Sequence, residues 1–201
     1  MSSRAQRWRV PLGFVLAALL LLAARPRALS LLVGLPLAAL GLALRAAAAG
    51  HIRKNDALAT SGPYRFTRNP LYLGSTVLAL GLVIAANAWL LALLAALMLV
   101  GVYLPVIRQE ERFLAARFGP DFAAYAARVP RLFPRLRPHP AVSTSGTRVA
   151  GALGPAPANG FSFALYRRHR EYQALLGFLA LALVLIAKWK YPGLWPRPWA
   201  W

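Results

Sequence analysis

The sequence predicts an all-α, multi-pass helical membrane protein of about five transmembrane helices. Of its 201 residues, 59% are hydrophobic and only 14% are charged, which is too apolar for an ordinary soluble domain. The apolar residues are gathered into long Leu- and Ala-rich runs, so lipid is the expected solvent. The basic residues cluster between those runs, as they do in cytoplasmic loops of membrane proteins.

The first run, Val10 to Ala24, follows Arg4, Arg7 and Arg9. A basic start, an apolar middle and small residues at Ala23-Ala24 also fit a signal peptide, but further apolar runs follow closely, which favours an uncleaved first span. Trp8 is expected at the interface, with the arginines snorkelling. Arg25-Pro26-Arg27 makes a tight connection to the second run, Leu29 to Ala49, whose Arg45 is expected to reach headgroups. Polar chain follows from Gly50 to Pro70, carrying Arg53, Lys54, Arg65 and Arg68.

The third run, Leu71 to Ala86, is separated from the fourth, Trp89 to Ile107, by Asn87 and Ala88 alone. So short a break makes the pair a helical hairpin, and Gly74 and Gly81 are expected to let its helices approach closely. From Arg108 the chain is amphipathic. Gly119-Pro120 should break the helix, with Asp121 in the first turn of the next. Phe118, Phe122, Tyr125 and Val129 share one helical face, and Pro130 and Pro134 end the regular structure. Residues 139–160, rich in Pro, Gly, Ser, Thr and Ala, read as a flexible linker. Phe161 to Arg170 is amphipathic and basic. Ala174 to Ala187 is a fifth, shorter run that either spans the bilayer or lies in the interface, and Trp195, Trp199 and Trp201 fit an aromatic belt. The chain thus divides into N-terminal spans (1–60), a core (61–138), a linker (139–160) and a C-terminal segment (161–201).

The charge balance is 24 basic residues against 5 acidic, a net +19. No nucleic-acid motif accompanies it, so membrane lipids are the expected partner and nucleic acid is not. The absence of cysteine excludes disulfides and thiolate chemistry. His51, His139 and His169 have no metal-ligand spacing, and no metal is expected. No ionisable residue sits at mid-span, which argues against an ion or proton path. With the N-terminus inside, most arginines fall on the cytoplasmic face, and the uncharged turn at Asn87 faces out.

Two stretches could carry chemistry. Ser61 to Gly74 lies at the entrance of the third run, and Glu110-Glu111 lies just past the end of the fourth. The hairpin must bring these ends together. Two readings of the acids stay open: they balance Arg108, Arg112 and Arg68, or they hold a cationic ligand group. Adjacent helical residues diverge by roughly 100°, so one carboxylate could face a pocket while the other faces a supporting arginine. Tyr64, Phe66 and Tyr72 around Arg65 and Arg68 read either as an interfacial belt or as the rim of a pocket for a sulfonium or ammonium centre.

The order Gly62-Pro63-Tyr64-Arg65-Phe66-Thr67-Arg68-Asn69-Pro70-Leu71-Tyr72-Leu73-Gly74 resembles the Arg-His-Pro-x-Tyr-x-Gly motif of the isoprenylcysteine carboxyl methyltransferase and phospholipid methyltransferase family. Glu110-Glu111 resembles that family's paired glutamates. Leu114, Phe118-Gly119, Tyr125 and Arg128-Val129-Pro130 resemble its continuation. Asn69 stands where the family most often has His, so an acid–base role there is in doubt. The resemblance runs from about Gly62 to Pro134. It implies S-adenosylmethionine as cofactor in a cytoplasmic pocket, bound through Tyr64, Arg68, Asn69, Pro70, Tyr72, Gly74, Glu110 and Glu111. It implies a lipid-like or small hydrophobic acceptor held by Arg128 and Tyr125, with Arg128 and Glu110 as catalytic candidates, and a place in a bacterial inner membrane. A carboxylate acceptor is favoured, with a phospholipid amine or a thiol as alternatives. A non-catalytic relative that keeps the fold is the other reading.

Overall fold

The structure, a computed structural model, describes residues 4–52, 57–135, 137 and 160–195. The expectations for Arg53, Lys54, His139, the linker up to Asn159, Trp199 and Trp201 lie outside the described residues, as do those for the side chains of Arg4, Arg7, Trp8 and Arg9.

The described chain is helical: α1 (Arg4–Ala23), α2 (Ala28–Ala49), α3 (Pro70–Ala86), α4 (Leu90–Met98), α5 (Leu104–Arg128), α6 (Phe163–Arg168) and α7 (Tyr172–Lys190). A π-helical turn, Leu99–Tyr103, joins α4 to α5, so the fourth run continues past its expected end into the amphipathic segment. Ala28–Ala49, Leu90–Arg128 and Tyr172–Lys190 are long and apolar enough to cross a membrane, and Gly13–Ala23 and Pro70–Ala86 are shorter apolar helices. The fifth run therefore has the length of a span.

The helices contribute to two compact units. The first comprises residues 1–42, 75–106 and 173–201. In it the chain reverses twice at one end. Arg25 N donates to Ala86 O at 2.8 Å, and Asn87 Nδ2 donates to Arg25 O at 3.3 Å. Asn87 takes a left-handed φ of 51°, which Asn tolerates, and this permits the abrupt turn between α3 and α4. α1 packs on α4 and the π-helical turn. The closest approach is between α2 and α3. A Cβ on Gly34 would lie 2.6 Å from Ala85 Cα, and one on Gly81 would lie 2.7 Å from Ala38 Cα. Gly34-x-x-x-Ala38 on one helix thus meets Gly81-x-x-x-Ala85 on the other, and small residues let the backbones touch. Gly81 serves the α2–α3 contact, not the expected α3–α4 one, because its bare face points to α2.

The second unit comprises residues 43–74 and 107–172. Gly119 breaks α5 with φ 49° and ψ −121°, immediately before Pro120. A Cβ there would meet open space, so backbone conformation, not room, calls for glycine. Phe118, just before the break, and Phe122, Tyr125 and Val129 beyond it gather into one buried cluster, although the break means they do not lie on one continuous helical face. Arg45 does not reach out to headgroups. Its guanidinium clasps Glu171, with Nη2 2.8 Å from Oε1 and Nε 3.1 Å from Oε2. The segment after the linker is fastened to the end of α2 in the same region. Ser162 N donates to Gly50 O at 2.9 Å, and the ring of Phe161 covers the face of Gly50.

Candidate functional site

The site residues all belong to the second unit. A 3₁₀ turn, Gly62–Arg65, opens the first stretch. Gly62 has φ 56° and lies against the His51 imidazole, so any side chain there would collide with the ring. His51 Nδ1 is 2.7 Å from Ala47 O. A carbonyl only accepts, so Nδ1 carries the proton in that contact.

Residues 66–69 then run beside the chain that leaves α5. Arg68 N donates to Pro130 O at 2.9 Å, and Arg135 N donates to Phe66 O at 3.1 Å. Thr67 is fully buried and its hydroxyl donates to Arg131 O at 3.1 Å. Proline at position 130 cannot donate, but its carbonyl accepts, which is the role it takes here.

This pairing sets Asn69 against Glu111. The Asn69 amide nitrogen donates to Glu111 Oε1 at 3.2 Å and to Arg131 O at 2.9 Å, which uses both of its N–H groups inside the protein. Glu111 is only 7% exposed. Arg131 Nε donates to its Oε2 at 2.8 Å, and Arg68 Nε lies 3.5 Å from Oε1. A carboxylate can be buried at this cost because two cations and an amide face it. Arg68 and Arg131 are its partners; Arg108 and Arg112, considered from sequence, are exposed.

Glu110, its neighbour, is exposed and turned the other way. It accepts from Tyr72 Oη at 2.9 Å and has no ion pair among the described residues. The helical divergence therefore splits the pair as expected: one carboxylate is locked by arginines and one is open with a phenol beside it. Pro70 and Gly74 are buried within this stretch.

Tyr64 and Tyr125 form a buried strut, in which Tyr125 Oη donates to Tyr64 O at 2.7 Å. Burial, and then the Tyr125 phenol and the Glu110 carboxylate, hold the Tyr64 phenol well above its ordinary range. Burial also raises Tyr125, with the Arg68 cation partly opposing it. Both stay neutral donors at ordinary pH. Arg128 ends α5 and is exposed. Arg131 was not singled out from the sequence. Its only signal is a position directly after Arg128-Val129-Pro130, and its role depends on the path of the chain beyond that proline.

Residues 29–121 match the phospholipid methyltransferase family. The similarity to that family is confined to this segment. The segment contains the first stretch and both glutamates; Tyr125, Arg128 and Arg131 lie beyond it. The chain is 42% identical over 139 residues to the cobalt-zinc-cadmium resistance protein CzcN of Cupriavidus metallidurans, covering 64% of this chain and 62% of that protein. It is 42% identical over 84 residues to the nickel-cobalt-cadmium resistance protein NccN of Alcaligenes xylosoxydans xylosoxydans, covering 42% of this chain and 39% of the other. The chain therefore spans less than two thirds of the length of either relative. No solved structure matches it.

Proposed function

We propose that the protein transfers a methyl group from S-adenosylmethionine to a lipid-like or small hydrophobic acceptor, a carboxylate in the favoured case, at the cytoplasmic face of a bacterial inner membrane. The supporting observation is the divided pair: Glu111 is neutralised inside the protein, while Glu110 is an open anion next to Tyr72. An open carboxylate fits the cationic amino and sulfonium groups of this cofactor, and the phenol face of Tyr72 suits a sulfonium. The family of residues 29–121 supplies the reaction class.

The bound cofactor would supply an electrophilic methyl on a sulfonium sulfur. The protein's part is to hold and orient. Glu110 opposes the positive charge, Tyr72 fixes that carboxylate, and the Glu111–Asn69–Arg131 clamp fixes the backbone on either side. A carboxylate acceptor is already ionised, so no base is required. To such an acceptor the bound cofactor would give up its methyl in a single displacement, a C–O bond replacing the C–S bond and a neutral thioether remaining. Arg128, exposed at the end of α5, is the candidate to orient that acceptor through its planar fork. An amine acceptor would have to lose a proton first, and Glu110 is then the candidate base.

Both resistance-named relatives favour a second reading at the level of the cell: the reaction, or a non-catalytic role of the same fold, contributes to resistance to cobalt, zinc, cadmium or nickel. Calorimetry with S-adenosylmethionine on the detergent-purified full chain tests the first reading. We expect binding by wild type and a loss of at least about tenfold in Glu110→Gln, about 1.4 kcal/mol or more. Undiminished binding by Glu110→Gln would overturn the assignment of Glu110. No binding by a well-folded wild type would favour the non-catalytic role, and growth of a deletion strain on the named metals would then carry the question.

A further inference from the structure

We propose that Arg167, Arg168 and Arg170 form a binding site for the phosphate of an anionic membrane phospholipid. The proposal is independent of the methyl-transfer reading. The three arginines, with Ala164 and Tyr172, line one open cavity. All three are exposed, and none has an ion pair among the described residues. The acid that follows them, Glu171, is taken up by the double contact from Arg45 and so leaves their charge unbalanced.

The cluster is also fixed in place. Ser162 N donates to Gly50 O, His169 Nε2 donates to Ile52 O at 3.1 Å, and Glu171 is held by Arg45. Arg170 adopts φ 55°, a left-handed residue between α6 and α7, and that turn brings Arg170 into the same cavity as Arg167 and Arg168. Arg170 lies two residues before Tyr172, where α7, a helix long enough to span, begins. Phe161 and Phe163 stand 53% and 63% exposed on the same short segment. Guanidinium forks at the foot of a span, flanked by exposed aromatic rings, suit a phosphodiester at headgroup depth with acyl chains beside it.

The test uses the full chain in neutral-detergent micelles, titrated with dansyl-labelled phosphatidylglycerol and read by energy transfer from the protein's tryptophans. Two variants of equal charge are compared: Arg167→Gln/Arg168→Gln/Arg170→Gln, and Arg108→Gln/Arg112→Gln/Arg117→Gln. The first should weaken lipid binding on the order of fivefold per arginine, and the second far less. Equal losses in both would reduce the effect to diffuse charge and overturn the site, as would wild-type affinity in the first. Unlabelled phosphatidylglycerol should compete and phosphatidylcholine should not. Competition by glycerol phosphate at the same concentration would assign the cavity to a soluble phosphate and overturn the lipid. If the first triple variant does not fold, Arg167→Gln and Arg168→Gln singly, both at exposed positions, are read in the same assay and should each show the single-arginine loss.

Discussion

Each of the two units is held together internally by different physics. In the first, the tightest contact is backbone against backbone, where Gly34 and Ala38 meet Gly81 and Ala85. Its polar side chains bond mostly to main-chain carbonyls: Ser30 to Ala85 O, Asn87 to Arg25 O, Lys188 to Leu21 O. In the second, Arg45–Glu171, Arg68–Glu111 and Arg131–Glu111 form ion pairs, and buried Asn69, Thr67 and Glu111 join separate segments. Lipid offers no hydrophobic reward for bringing two helices together, so close packing has to do it. Where the chain leaves the apolar runs, charge can be bonded and then becomes the means of placing residues for chemistry. The first unit should therefore fail by steric intrusion and the second by loss of a polar partner.

The largest effect is expected from Gly81→Leu, which drives a side chain into the backbone of Ala38. We expect a loss of about 3 kcal/mol or failure to fold, measured by equilibrium unfolding in mixed detergent. Gly177, whose Cβ position is open, is the control: Gly177→Ala should be neutral or slightly stabilising. A tolerant Gly81→Leu would mean that the α2–α3 approach is not what holds the first unit.

Much of the second unit was legible in the sequence. Span lengths alone required the ends of the third and fourth runs to meet, and Asn69–Glu111 and Tyr72–Glu110 are those meetings. Adjacent positions on a helix must diverge, and Glu110 and Glu111 do. What could not be read was pairing that no local period encodes. Arg45 and Glu171 are 126 positions apart, and both the headgroup and the carboxylate are natural partners for an arginine. Arg131 engages partly through its carbonyl, and any residue has one. Gly81 announced a close contact, but small-residue spacing does not say which helix will arrive.

Glu111→Gln should come next, at about 2 kcal/mol. Removing one partner of a fully buried pair costs about 3–5, but Arg131 is partly open to water. Glu110→Gln, one residue away, should cost under about 0.5 kcal/mol, because its carboxylate is exposed. The same two proteins in cofactor calorimetry should rank in the opposite sense per unit of stability lost. If both lose stability equally, the division of the pair is not real.

Tyr125→Phe should cost about 1 kcal/mol at neutral pH by leaving Tyr64 O without its donor. The raised phenols also set a pH dependence. Their folded pKa lies above the unfolded value of about 10, so their contribution is complete below pH 10 and is lost as pH rises beyond it. Tyr125→Phe should remove one of the two groups and flatten that alkaline decline in unfolding midpoint.

A similarly small effect on stability, no more than about 0.5 kcal/mol, is expected from Tyr72→Phe, which separates packing from orientation of Glu110. The phenol's partner is exposed, so water replaces the lost bond in the free protein. If that bond serves only packing, nothing else should change. If it orients Glu110 toward a cationic ligand, S-adenosylmethionine affinity should fall about threefold to tenfold while the fold is intact, since a hydrogen bond to a charged group is stronger than a neutral one. A Glu110→Gln/Tyr72→Phe double variant should then bind no more weakly than Glu110→Gln alone, because the phenol acts through that carboxylate. Additive losses would instead put Tyr72 in direct contact with the ligand, through the aromatic face that first marked it in the sequence.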